Sequence, residues 1–381
     1  MTGEVLKSEI YLVIEGKNEQ NILNETFYKN PLEVLVNGEY KSSCKKSCNM
    51  NYNKNNITLI FNEKLNSCEN MFYGRNNIIE IDLSNFDASS VTSMKSMFYN
   101  CNNLQKIKFG NIKTSSVKDM SELFHYCYSL PYIDLSNFDT SSVITMNQMF
   151  RFCNKTKSID ASSFKTSQVE DMENLFSECW NLVSVNVSSF DTSNVKYMAG
   201  MFSTCKNLKY INLSNFNGNS LIKMNHMFFV CENLLFVNFL NFQATKISTD
   251  DTHMGWIFYG IYTNYKYCTN SNKLINKIGE SHSDCSNKYF QENVLFNMET
   301  NNCVESCDKY KFYNLCYNEC PEGTYKFINK KCSDILPENY YLDKSDNIYK
   351  ECKKCHQSGT ATNNNCDECK NGYTFVDESS I

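Results

Sequence analysis

Residues 130–153 read Leu130-Pro131-Tyr132-Ile133-Asp134-Leu135-Ser136-Asn137-Phe138-Asp139-Thr140-Ser141-Ser142-Val143-Ile144-Thr145-Met146-Asn147-Gln148-Met149-Phe150-Arg151-Phe152-Cys153. Two periods coexist in this stretch. Ile133 and Leu135 alternate with Tyr132, Asp134 and Ser136, which is the period of a short strand. Val143, Met146, Met149, Phe150 and Cys153 recur at steps of mostly three or four, which predicts one face of a short helix. Asp139-Thr140-Ser141-Ser142 lies between them and offers turn and N-cap oxygens. The unit therefore predicts strand, turn, short helix and return.

The stretch recurs along the chain. Cys101, Cys127, Cys153, Cys179, Cys205 and Cys231 are 26 residues apart, as are Phe98, Phe124, Phe150, Phe176, Phe202 and Phe228. Phe86, Ile112, Phe138, Phe164, Phe190, Phe216 and Phe242 form a second column. Self-similarity at a fixed period predicts a solenoid, in which each unit buries its apolar face on its neighbours. The expected fold is an α/β solenoid, right-handed and leucine-rich-repeat-like, with a parallel sheet on one face and short helices on the other. A small disulfide-rich module should follow it. The ends of the array drift, as capping repeats should. Arg75 takes the first Cys position, and Phe258 follows Phe228 by thirty residues, with Trp256-Ile257-Phe258-Tyr259 expected to plug the core.

On these residues the unit resembles the BspA-type leucine-rich repeat, also catalogued as a mycoplasma-lipoprotein-type repeat. Leu135 to Cys153 and Val187 to Cys205 match it closely, and the likeness covers about half the chain. The resemblance implies a surface protein of a bacterium or protist that adheres to or binds extracellular proteins. It implies no catalytic residue. Cys316-x3-Cys320-Pro321-Glu322-Gly323-Thr324-Tyr325 is similar to an element of furin-like or growth-factor-receptor-type cysteine-rich modules. Cys352-x2-Cys355-x10-Cys366-x2-Cys369 extends that pattern.

The domain reading is a cap segment over 1–70, the repeat array over 71–261 and a cysteine-rich region over 262–381. In the cap segment, the runs at 10–14, 32–36 and 57–61 read as strands, the second followed by the turn signal Asn37-Gly38. A net charge of −5 on a mixed-sign background offers no basic field for nucleic acid. Twenty cysteines are many for a cytosolic chain, and eleven of them crowd the region from Cys268 to Cys369. Among these, Cys303, Cys307, Cys316, Cys320, Cys332, Cys352, Cys355, Cys366 and Cys369 read as a disulfide framework, hence an extracellular or cell-surface location. The spacing of the last four also fits tetrahedral zinc, the alternative reading. No run approaches the roughly 18 apolar residues of a membrane span. The first 23 residues show no signal peptide, which conflicts with the disulfide reading. Either the chain is a fragment of a longer precursor or a truncated gene model, the preferred reading, or its cysteines are not paired.

The sheet face supplies the candidate binding surface: Tyr132, Asp134, Asp160, Asn186, Tyr210, Asn212, Phe236 and Asn238. Alternation with Ile133, Ile211 and Val237 predicts that Tyr132, Tyr210 and Phe236 point outward as aromatic anchors. The competing reading is an Asn/Asp ladder that bonds only along the stack. Sequons occur at Asn24, Asn56, Asn154, Asn186 and Asn212, and a glycan at Asn186 or Asn212 would block this face. The ladder cysteines read as buried structural thiols rather than metal ligands or bridges. None of the five histidines shares a motif with a nucleophile, and each reads as a surface residue. The function expected is non-enzymatic binding of extracellular protein or glycan partners, without cofactor or metal. The alternatives are an intracellular scaffold with a zinc-binding tail and a receptor-like ectodomain.

Overall fold

The structure, a computed structural model, describes residues 8–240, 242–262, 265–269 and 271–278, together with the backbone of short strands between 295 and 369. Among the described residues it is mostly β, with few helices and small sheets, none closed into a barrel. The chain divides into two compact units, Met1–Ser283 and Asp284–Ile381.

The leading segment contributes β1 (Ser8–Glu15), β2 (Asn18–Asn21), β3 (Glu33–Val36), β4 (Glu39–Tyr40), β5 (Ser47–Met50) and β6 (Lys54–Phe61). Strict alternation buries Ser8, Ile10, Leu12 and Ile14 of β1. Asn37 and Gly38 turn β3 into β4 with φ of 53° and 84°, the paired positive angles a tight hairpin requires. β1 lies antiparallel between β6 and the first repeat strand, β7 (Ile78–Asp82), so the segment extends the sheet at the start of the array. Cys44 forms a disulfide with Cys48 of β5.

The later repeat strands are β8 (Lys106–Lys108), β9 (Ser158–Asp160), β10 (Ser184–Asn186), β11 (Tyr210–Asn212), β12 (Phe236–Phe239) and β13 (Lys266–Thr269). They pair in parallel as β7–β8, β9–β10 and β11–β12–β13 rather than as one continuous sheet. Residues 132–134, expected as a strand, are not one. Pro131 supplies the reason. At its position in other units, Gln105, Val183 and Leu235 donate their amides to Ile79, Lys157 and Lys209 at 2.8–2.9 Å, and proline has no N–H to give.

The other side of each unit corrects the helix expected there. Among the described residues the helices are α1 (Asp251–Met254) and α2 (Asn272–Ile278), both after the 26-residue units. In 143–153 the amides of Met146, Gln148, Phe150 and Phe152 donate to carbonyls of Asp171, Glu173, Leu175 and Ser177 in the next unit, at 2.9–3.0 Å. The amides between them, of Met149, Arg151 and Cys153, reach back three residues at 3.1 Å. Gln148 and Phe152 adopt φ of 56° and 62° at the third position of these turns. The same pair recurs at Ser96/Asn100, Glu122/Tyr126, Asn174/Glu178 and His226/Val230. An α-helix returns its amides four residues within itself. A backbone that spends every second amide on its neighbour cannot be helical.

The Asp-Thr-Ser step is likewise not an N-cap. Thr114, Thr140, Thr166 and Thr192 are at most 1% exposed. Each hydroxyl donates to the carbonyl, and accepts from the amide, of Asp139, Lys165, Asp191 and Asn217 respectively, at 2.7–3.0 Å. One side chain thus clamps one unit to the next.

The core follows the same step. Phe72, Phe98, Phe124, Phe150, Phe176, Phe202, Phe228 and Phe258 stack with ring centroids 5.4–5.8 Å apart. Phe258 keeps this column despite its thirty-residue spacing. Each buried ring contributes about 1.5–3 kcal/mol. Among the described residues of Asp284–Ile381 the backbone forms two four-stranded sheets and one antiparallel pair. In that pair Cys352 lies opposite Cys369 and Cys355 opposite Cys366.

Candidate functional site

The sheet face does not present the surface expected of it. Tyr210 is 6% exposed and Phe236 2%, and the two rings stack at 5.6 Å. Ser158 and Ser184, in the same column, are also buried. Alternation predicts exposure only when one face of a strand is solvated, whereas short parallel strands are commonly covered on both faces. Tyr132 is half-buried. Asp134 and Asp160 are exposed, Asn186 and Asn212 half-buried and Asn238 buried. Their side chains serve the backbone. In each of these five residues Oδ1 accepts the amide two residues on, at Ser136, Ser162, Ser188, Ser214 and Leu240. Asn186 also donates to Asp160 across the units at 3.1 Å.

The ladder cysteines are fully buried and free. Each Sγ donates to a phenylalanine carbonyl 29 residues earlier, from Cys101 to Phe72 through Cys231 to Phe202, at 3.0–3.3 Å. Burial pushes the Cys101, Cys179 and Cys231 thiols up to about 12, so they carry no thiolate for nucleophilic or metal chemistry near neutral pH. Among the described residues no group of His, Cys, Asp and Glu could hold a metal ion. The disulfide candidates Cys307 and Cys320, and the side chains of Cys303, Cys316, Cys332, Cys352, Cys355, Cys366 and Cys369, lie outside the described residues.

A different surface stands out at one corner of the turns. Tyr73 and Tyr99, one unit apart, stack at 4.6 Å and 1°. Tyr126 and Phe152, also one unit apart, stack at 4.6 Å, with Tyr128 against both. Tyr99 meets Tyr126 edge-on at 5.5 Å and joins the two pairs. The Arg151 guanidinium lies 5.2 Å from the Phe152 ring centre. Tyr73 is 37% exposed, the other rings are half-buried, and Trp180, further along this side of the array, is 43% exposed. Burial raises the Tyr99 and Tyr128 hydroxyls above their ordinary value, so both remain protonated. The ridge was legible as aromatic residues at non-core positions in step with the repeat: 73 with 99, 126 with 152, and 128 with 180 two units on.

His125 sits inside this ridge and not on the surface as expected. It is 4% exposed. Its ring lies 4.2 Å from Tyr126, 5.9 Å from Phe152 and edge-on to Tyr99 at 4.8 Å. Among the described residues neither ring nitrogen finds a hydrogen-bond partner. Burial first, then the charge of Arg151, lowers its pKa to about 4.

A family model described as "Mycoplasma protein of unknown function, DUF285" matches residues 66–159 and again 151–260, together just over half of the chain. The two matches agree with the resemblance read from Leu135–Cys153. No curated protein matches the chain.

Proposed function

The chain belongs to the DUF285 family, and on that footing we propose that it is a non-enzymatic cell-surface or secreted binding protein. Its 26-residue units wind as a solenoid, and the aromatic ridge is the surface that meets a protein partner. One observation carries the reading: five half-buried or exposed aromatic rings and an arginine are held together on a hydrogen-bonded scaffold. Tyr, Trp and Arg dominate interface hot spots, and rings already ordered by stacking lose little entropy on binding. The Cys44–Cys48 disulfide supports an oxidising location, since such bonds persist outside the reducing cytosol. The cysteine-rich region reads as a second, furin-like module of the same surface protein.

The test is a triple variant, Tyr73→Ala/Tyr128→Ala/Trp180→Ala, which leaves the buried columns intact. Purified chain is screened against arrays of extracellular proteins and of glycans. Any protein bound by the wild type should lose about 30-fold or more in affinity to the folded variant, the roughly 2 kcal/mol of a hot spot. Unchanged binding by the folded variant moves the contact elsewhere. Binding to glycans alone replaces the protein partner with a saccharide, and binding on neither array removes the adhesion reading. Thiol titration after denaturation without reductant tests the location, and twenty free thiols would count against a surface protein.

A further inference from the structure

We propose that His125 makes the aromatic ridge acid-sensitive: the neutral imidazole is a stacking member of the ridge, and its protonation loosens the packing of Tyr99, Tyr126 and Phe152. The binding consequence, release of a partner on acidification, rests on the ridge being the contact surface. The loosening itself does not.

Three observations carry the inference. First, the imidazole is packed as a hydrocarbon ring would be, against Tyr126 at 4.2 Å and 23° and near-parallel to Phe152 at 5.9 Å and 7°, two rings that also stack on each other. Equivalent positions one unit either side hold Tyr99 and Arg151, and two units before stands Tyr73, so the column does not demand a histidine. Second, both ring nitrogens are buried without a partner among the described residues. A neutral imidazole already forgoes hydrogen bonds there, and an imidazolium would bury a charge and two unsatisfied N–H groups. Third, the charge would arise beside another cation. Arg151 donates from Nη1 to Gln148 at 2.9 Å, and its Nε is also buried and unpaired.

The nearby carboxylates are engaged elsewhere. Glu122, on the same unit, accepts from Ser96 Oγ at 2.9 Å, and Glu178 accepts from Trp180 Nε1 at 3.0 Å. The remaining titratable neighbours are the phenols of Tyr99, Tyr126 and Tyr128, and burial raises the Tyr99 and Tyr128 hydroxyls further. Stacking on Tyr126 offers the imidazolium a cation–π contact, but that contact supplies no acceptor for either N–H. The balance favours exclusion of the charged ring and hence its movement toward water.

The direction of the effect is fixed by the lowered pKa. The folded chain holds His125 neutral, so the ridge is intact above the ordinary value of 6.5 and loosens as the pH falls from there toward about 4.

The experiment follows the ridge without any ligand. Near-ultraviolet circular dichroism of the full chain is recorded from pH 7.5 to 3.5, with hydrogen exchange of the Tyr126 and Phe152 amides as the local readout. His125→Phe keeps a ring that cannot titrate, and His125→Gln serves if that variant fails to fold. The expected result is loss of tyrosine ellipticity and of amide protection in the wild type but not in the variant. Equal loss in both would assign the change to other groups, His226 among them, and overturn the proposal. So would a wild-type ridge that stays protected at pH 3.5, below the pKa of about 4. Failure of the ridge as a binding surface would leave these readouts unaffected, which separates the two ideas.

Discussion

Replacing Thr166 by valine tests whether buried hydroxyls hold the units together. The two side chains have nearly the same shape, so the substitution removes one oxygen and leaves the packing. Thr166 is 1% exposed; its Oγ1 donates to the Asp191 carbonyl at 2.9 Å and accepts from the Asp191 amide at 2.8 Å. Valine leaves both backbone groups without their partner. A buried group left unsatisfied costs about 1–3 kcal/mol. The carbonyl has a second lone pair, and Asp191 is exposed enough for water to compensate in part. The expected loss is therefore about 2 kcal/mol. Because stability in repeat arrays is partly local, urea unfolding is paired with hydrogen exchange at the Asp191 amide. Protection there should fall about 30-fold in Thr166→Val, since each 1.4 kcal/mol is tenfold. Thr166→Ser keeps the hydroxyl and drops one methyl, so it should lose only about 0.8 kcal/mol and keep the amide protected. Unchanged Asp191 exchange in the valine variant would refute the clamp, and equal losses for valine and serine would assign the position to packing.

Phe150→Ala removes a ring stacked on Phe124 and Phe176 at 5.7 and 5.5 Å and should cost about 3–5 kcal/mol in urea unfolding; the exposed Asp134→Ala should cost far less. Cys153→Ala should cost about 1–2 kcal/mol, and mass mapping should find Cys127 and Cys153 unbridged, since both are free thiols. Lowering the pH should destabilise the wild type relative to His125→Phe by about 3 kcal/mol, the linkage of a shift from 6.5 to about 4. That difference is absent above pH 6.5, grows as the pH falls and is complete near 4, and parallel unfolding midpoints across this window would contradict it. Cys44→Ala/Cys48→Ala opens a loop of a few residues and should cost about 2 kcal/mol, read as faster hydrogen exchange in β5, which holds Cys48, and its partner β2.

The repeat was legible because its determinants are side-chain identities at a fixed step. Phe150 and Cys153 are apolar every 26 residues, and the structure buries both columns completely. The conformation between those columns was not legible, because an apolar step of three or four describes where side chains return and not how the backbone gets there. A helix and a run of left-handed turns both return Val143, Met146, Met149 and Phe150 to one side. What separates them is the destination of the amides, and sequence carries that only indirectly, as Gly74, Gly200 and Gly260 at columns where other units hold residues with positive φ. The candidate site divides the same way. Tyr210 and Phe236 were assigned outward by a rule that holds for a strand with one wet face, and both rings are buried, although Lys106 of the same column is exposed. The ridge at Tyr73, Tyr99, Tyr126 and Phe152 obeys the repeat step but serves no core column, so its periodicity alone marks an aromatic placed where folding does not require one. In a repeat protein, the residues most informative about function are those that keep the period without entering the core, because the scaffold's own demands are already met by the columns beneath them.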